Sequence, residues 1–272
     1  MLPTSSVLAA GIEISVERAG SGPSLIWGHG LTSSMLLERE VISVDWETIR
    51  RRADVVRYDA RGHGNTSTTD ELAGYGWDAL AADQLALASE LGIGSYIASG
   101  ASMGAGTALH AAVNAPERIG GLLLVIPPTG WEMRAAQRDI YLGRAELIEQ
   151  GDLDGVIAAA RTIPPPDPFG AEWHDRLART LRSADLSRMA HVLRGAATTN
   201  MPSVDELSTI SVPTTILGWT GDPGHPVASA ERLADLIADS RLVIASAPED
   251  LMTWTDEVLA LIERVRINAR AS

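Results

Sequence analysis

The chain has 272 residues, 45% of them hydrophobic, and no cysteine; this is enough apolar sequence to bury a sizeable core, and it excludes disulfides, thiolate catalysis and cysteine-ligated metals. A formal charge of −13 repels nucleic acid and anionic membrane surfaces, which both reward clustered Lys and Arg. No apolar stretch reaches bilayer-spanning length and residues 1–10 carry no positive charge ahead of an apolar run, so the expectation is a cytoplasmic protein without a leader, with no nucleic-acid and no membrane partner.

Apolar runs alternate with helical patterns along the chain. Residues 7–10 and 12–17, joined at Ala10-Gly11, read as an antiparallel hairpin. Strands are predicted at 24–27, 55–58, 96–99, 122–126, 214–217 and 242–245, which makes eight. Between them the periodicity predicts helices at 45–52, 77–91, 105–112 and 227–238, and a last one over 256–266 that puts Val258, Leu261, Ile262 and Val265 on one face. The predicted fold is α/β: an eight-stranded, mostly parallel sheet with helices on both faces.

Residues 131–211 break the alternation. Helical pattern occurs at 145–150, 153–161 and 175–193, around a proline cluster Pro164-Pro165-Pro166-Asp167-Pro168, and no convincing strand is present. Two units are expected, a core of residues 1–130 and 212–272 and a helical cap of residues 131–211 over the carboxyl edge of the sheet, where open α/β folds bind ligands.

The stretch Ser99-Gly100-Ala101-Ser102-Met103-Gly104-Ala105-Gly106 lies between a predicted strand and a predicted helix. A serine there sits on a turn tight enough to push its Oγ out of the sheet, and only minimal side chains fit two positions before and after it. Gly100 and Gly104 occupy those positions. Ser102 is therefore the candidate nucleophile.

With this elbow, Trp27-Gly28-His29-Gly30-Leu31, Asp59-Ala60-Arg61-Gly62-His63-Gly64, Asn114-Ala115-Pro116-Glu117-Arg118-Ile119 and Gly221-Asp222, the sequence resembles the α/β-hydrolase family over nearly its whole length apart from the cap. The resemblance implies attack by Ser102 on an acyl carbon, with a histidine as base and Asp222 as the acid that orients it. It also implies an oxyanion hole from the backbone amides of Leu31 and Met103. One landmark is missing. Family members usually carry a histidine just after the eighth strand, where this chain reads Ser246-Ala247-Pro248-Glu249-Asp250-Leu251, and no histidine follows His225.

His225 is the leading substitute. Asp222-Pro223-Gly224-His225 places Pro and Gly at the centre of a type II turn, whose outer Cα atoms approach within about 7 Å, so the two outer side chains come within hydrogen-bonding reach. The competing role for Asp222 is a turn former; for His225 it is the entry of a helix that has Pro226 in its first turn. Glu132 is an alternative acid. His174 and His191, in the cap, are alternative bases. Glu249 or Asp250 could stand in for the absent histidine, although a carboxylate with an ordinary pKa of about 4 is a poor base for serine near neutrality. His29 borders the oxyanion site, His63 orders its loop, and His110 is expected in the core.

His29, Trp131, Met133, Tyr141 and Trp219, with Trp254, are the candidate pocket lining, which suggests a neutral, moderately hydrophobic small-molecule substrate. Histidines are scattered without helical ligand spacing beside a carboxylate, and residues 100–106 are absorbed by the elbow rather than a phosphate loop. No metal and no cofactor are expected. Three functions remain open: an ester or lactone hydrolase with a rearranged triad, a lyase or cyclase on the same scaffold, and a catalytically silent ligand-binding protein.

Overall fold

The computed structural model describes residues 3–40, 42–170, 172–183 and 186–271. The eight strands are β1 (Ser5–Ala9), β2 (Ile12–Gly20), β3 (Ser24–Gly28), β4 (Asp54–Tyr58), β5 (Tyr96–Ala101), β6 (Ile119–Val125), β7 (Thr214–Trp219) and β8 (Ser240–Ala245). They form one sheet in the order β1-β2-β4-β3-β5-β6-β7-β8. β2 runs antiparallel to both neighbours, and every other pair is parallel. The eight predicted strands are all present, each end lying within three residues of the predicted one.

The helices are α1 (Trp46–Arg50), α2 (Trp77–Glu90), α3 (Met103–Asn114), α4 (Arg134–Glu149), α5 (Leu153–Arg161), α6 (Glu172–Ser183), α7 (Leu186–Ala196), α8 (Val204–Leu207), α9 (Val227–Leu236), α10 (Pro248–Leu251) and α11 (Trp254–Ala271). Strand side chains alternate between faces, and the parallel strands here are apolar on both. Ile26, Ala98, Leu122 and Leu124 pack under α2, α3 and α9. Leu25, Trp27, Ile97, Leu123 and Val125 face α1 and α11, the latter through Val258, Leu261, Ile262 and Val265 as its spacing predicts.

α4–α8 fall between β6 and β7, and the described residues there contain no strand. Within the predicted 175–193 segment helix is described as α6 up to Ser183 and as α7 from Leu186, and residues 184 and 185 lie outside the described residues. α4 begins eleven residues earlier than the predicted 145–150 segment. Its first turns carry Arg134, Gln137 and Arg138, which hide the apolar periodicity. α4, α5, α6 and α7 share an apolar cluster built on Tyr141, Ala145, Ile148, Val156, Leu181 and Leu193.

The proline cluster is fastened to the end of β7. The Asp167 amide donates to Thr220 O at 3.0 Å, and the Thr220 hydroxyl donates to Asp167 Oδ2 at 2.6 Å. A Cβ on Gly221 would lie 2.5 Å from Asp167 Oδ1, so only glycine admits this approach. The inserted helices are thereby anchored beside the loop that carries Asp222.

Candidate active site

Three glycines make the turn around Ser102 possible. A Cβ on Gly100 would meet Gly28 O at 2.4 Å, and one on Gly104 would meet the same oxygen at 2.0 Å. The crossing of β3, β5 and α3 is thus closer than any side chain allows. Ser102 occupies φ 51°, ψ −108°, a backbone region that costs a non-glycine residue on the order of 1–3 kcal/mol. Its amide donates to Val125 O at 2.9 Å, and its carbonyl accepts from Gly106 at 3.1 Å. The hydroxyl remains outside both bonds.

That hydroxyl lies 2.8 Å from His225 Nε2, and His225 Nδ1 lies 2.7 Å from Asp222 Oδ2. The turn closes with the His225 amide on Asp222 O at 3.2 Å. It is not of type II, because Gly224 does not adopt the positive φ that such a turn requires. Pro226 precedes α9 as its extended N-terminal cap residue rather than lying in its first turn.

Asp222 is held from three directions: by His225, by the Trp219 indole N–H at 2.9 Å on Oδ2, and by the Gly224 amide at 2.9 Å on Oδ1. Burial opposes its ionisation, but the charge and hydrogen bond of His225, with the bonds from Trp219 and Gly224, outweigh it and keep the carboxyl well below the usual carboxylate range. A carboxylate held this way fixes the imidazole with Nδ1–H donating to it and Nε2 facing Ser102.

Two amides near Ser102 have no acceptor among the described residues. Met103 begins α3, so its N–H is one of the orphan donors of a helix N-terminus. In the β3 loop the Gly30 amide is taken by Glu38 Oε1 at 3.0 Å, whereas Leu31 N–H donates to nothing among the described residues. Glu38, missed in the sequence, also accepts from the Trp27 indole. Burial drives its pKa up to about 7, against the bonds from Trp27 and Gly30 and the charge of Arg57.

Ser102, Asp222 and His225 open on a cavity of about 700 Å³. Leu31, Met133 and Tyr141 line it, together with Glu38, Thr129, Gln137, Arg144, Trp173 and Leu177. His29, Trp131 and Trp219 do not, which corrects the sequence reading. His29 is fully buried, with Nδ1 on Gly30 O at 2.8 Å and Nε2 accepting the Ala60 amide at 3.0 Å, and burial lowers its pKa to about 4. It ties the β3 loop to the β4 loop as a neutral ring. His63 stacks edge-on against it at 4.8 Å.

Trp131 bonds outward to Pro202 O and carries the Arg232 guanidinium 4.3 Å over its ring. Trp219 points back from β7 onto Trp254 and leaves the aromatic wall of the cavity to Trp173 and Tyr141. Met103 is buried and contributes only its amide to the elbow.

The remaining alternatives are engaged elsewhere. Glu132 pairs with Arg232 at 2.7 Å. Asp250 accepts from the Ser246 and Ala247 amides at the start of α10, and neither it nor Glu249 reaches the cavity. His174 bonds Ile163 O at 2.8 Å, and His191 is exposed. His110 is half-buried on Asn200 O rather than in the core. Among the described residues no group of three or more His, Asp or Glu side chains is placed to hold a metal ion, and no helix is long and apolar enough to cross a membrane.

A model of the alpha/beta hydrolase family matches residues 22–252. The chain belongs to that family. Among individual proteins it is similar to 3-oxoadipate enol-lactonase 2 of Acinetobacter baylyi, 26% identical over 228 residues that cover 83% of this chain and 81% of the relative. Over a shorter stretch it is similar to N-formylmaleamate deformylase of Pseudomonas putida, 36% identical over 121 residues, 43% of this chain and 42% of that one. In fold it matches the enol-lactonase of Burkholderia xenovorans with a TM-score of 0.78 at 20% identity, over 95% of this chain and all of that one (100%).

Proposed function

We propose that the protein is a serine hydrolase that opens an ester or lactone of a small, largely apolar substrate through an acyl-enzyme on Ser102. His225 is the base, Asp222 orients it, and the Leu31 and Met103 amides receive the oxyanion. Residues 1–130 and 212–272 act as the catalytic core, and residues 131–211 act as a cap over the cleft. One observation carries this reading: His225 bridges Ser102 Oγ and Asp222 Oδ2 at 2.8 and 2.7 Å. The names of the relatives, an enol-lactonase among them, support it.

In this mechanism His225 Nε2 takes the Ser102 proton as Oγ attacks the carbonyl carbon, and the developing negative charge moves onto the carbonyl oxygen. The two amides donate to that oxygen, and the α3 N-terminus adds its dipole. Collapse expels the alkoxide, which takes the proton from His225. In a lactone this leaving hydroxyl stays tethered to the acyl chain. A water deprotonated by His225 then attacks the acyl carbon, and collapse releases Ser102, whose Oγ takes the proton back from His225. A fluorophosphonate is expected to label the wild type and not Ser102→Ala, and an aryl ester is expected to give a burst only in the wild type. Unlabelled wild type would overturn the acyl-enzyme and favour a lyase, a cyclase or a binding protein on this scaffold.

A further inference from the structure

Arg144 does not fit a cavity built only for a neutral ligand. It lies on the face of α4 that also presents Gln137, Ile140 and Tyr141 to the cavity, half-buried in the wall. Neighbouring arginines spend their guanidinium groups on acceptors: Arg134 on Thr199 O and Ala196 O, Arg161 on Asp175, Arg182 on Asp154 and Arg194 on Glu149. Arg144 makes no hydrogen bond and no ion pair among the described residues. Its surroundings disfavour charge, since burial lowers its pKa with only the Tyr141 hydroxyl acting in the other direction. A guanidinium cannot shed its proton in a protein, so the charge stays, and no acceptor among the described residues offsets its partial desolvation.

We propose that Arg144 is the anchor for a carboxylate on the substrate, distant from the bond that is cleaved; this rests on the hydrolase reading above. Arg144 and His225 are the only basic side chains among the described lining residues, and His225 is engaged with Asp222 and Ser102. One planar guanidinium with no second cation matches a single carboxylate in bidentate geometry. Met133, Ile140, Ile163 and Leu177, which line the same cavity, suit an apolar chain linking that carboxylate to the reacting carbonyl. The substrate class is therefore an ester or lactone of a short-chain acid with a free carboxylate, which replaces the neutral substrate expected from the sequence.

The test separates charge recognition from turnover. In Ser102→Ala, binding of monomethyl adipate, an anion near neutral pH, is compared by calorimetry with that of the neutral dimethyl ester. The anion is expected to bind at least about 10-fold more tightly. That preference should fall to near unity in Ser102→Ala/Arg144→Met and survive in part in Ser102→Ala/Arg144→Lys, with circular dichroism spectra unchanged. Equal affinities, undetectable binding of both esters, or a preference that persists without Arg144 would each overturn the proposal. Because no hydrolysis is needed, a wild type that binds the anion selectively but is not labelled by fluorophosphonate would sink the acyl-enzyme alone.

Discussion

Asp222 and His225 stand three residues apart in one turn and meet side chain to side chain at 2.7 Å, while the same imidazole reaches Ser102, 123 positions earlier in the chain, at 2.8 Å. In this arrangement one loop after β7 carries both the carboxylate and the ring it orients. The loop after β8, where the family resemblance leads one to expect a histidine, has another use: Asp250 there closes the start of α10. Because the backbone bond of the turn fixes the spacing of Asp222 and His225, their pairing needs little conformational search.

Substitutions at the two positions should differ in character. His225→Ala removes the proton acceptor and is expected to lower kcat by on the order of 10³-fold or more. Asp222→Asn keeps the shape but offers the ring a donor where it needs an acceptor, which favours the wrong tautomer, and a loss of about 10⁴-fold is expected. Steady-state rates on an aryl ester check both. A rate unchanged in His225→Ala would remove the residue from the mechanism.

Acid stability reports on the same carboxylate. Its folded pKa is depressed below the ordinary value of 3.8, so the unfolded chain binds the proton more readily. The resulting stabilisation is fully present above that value and is lost as pH falls toward the folded pKa. Chemical denaturation from pH 6 to pH 2 should show the wild type losing stability relative to Asp222→Asn only below about pH 4. Parallel curves would mean that the Asp222 bonds do not shift its ionisation.

The sheet was legible because buried parallel strands are short apolar runs bounded by turn residues. β5 with Gly100 and Gly104 also announces its close packing through glycine. In the sequence α4 reads short because Arg134 and Gln137 have the character of surface residues, whereas in the fold Arg134 lies over the Trp77 and Tyr141 rings. Trp219 reads as cavity wall in the sequence, but a strand end can turn its side chain to either face, and here it faces α11 and Asp222. Glu38 and Arg144 left no local signal: one acid and one arginine in polar stretches become special only when the fold buries them.

Glu38 should make the protein less stable in mild alkali. Its folded pKa of about 7 lies above the ordinary value of 4.5, so the folded state holds the proton more tightly. The advantage is complete below about pH 4.5 and is lost as pH rises through 7, a change of about 3 kcal/mol. Thermal melts from pH 5 to pH 9 should show the wild type falling relative to Glu38→Gln. An unchanged difference would show that Glu38 is ionised in the fold throughout.

Two glycine-to-alanine changes should move stability in opposite directions. At Gly104 the new methyl would lie 2.0 Å from Gly28 O and 2.5 Å from Gly28 C. Both are backbone atoms in a central strand and cannot step aside without parting β3 from α3. Overpacking of ordinary side chains costs roughly 1–3 kcal/mol, and a clash with backbone should exceed that range, so Gly104→Ala is expected to be poorly folded and inactive. Gly143 is exposed in α4, and nothing lies within 4 Å of its added Cβ. Alanine there only restricts the unfolded chain and improves helix propensity, and should stabilise by roughly 0.5–1 kcal/mol. Denaturant midpoints for the two variants check the pair. A well-folded, active Gly104→Ala would contradict the close crossing of β3 and α3 on which the position of Ser102 depends.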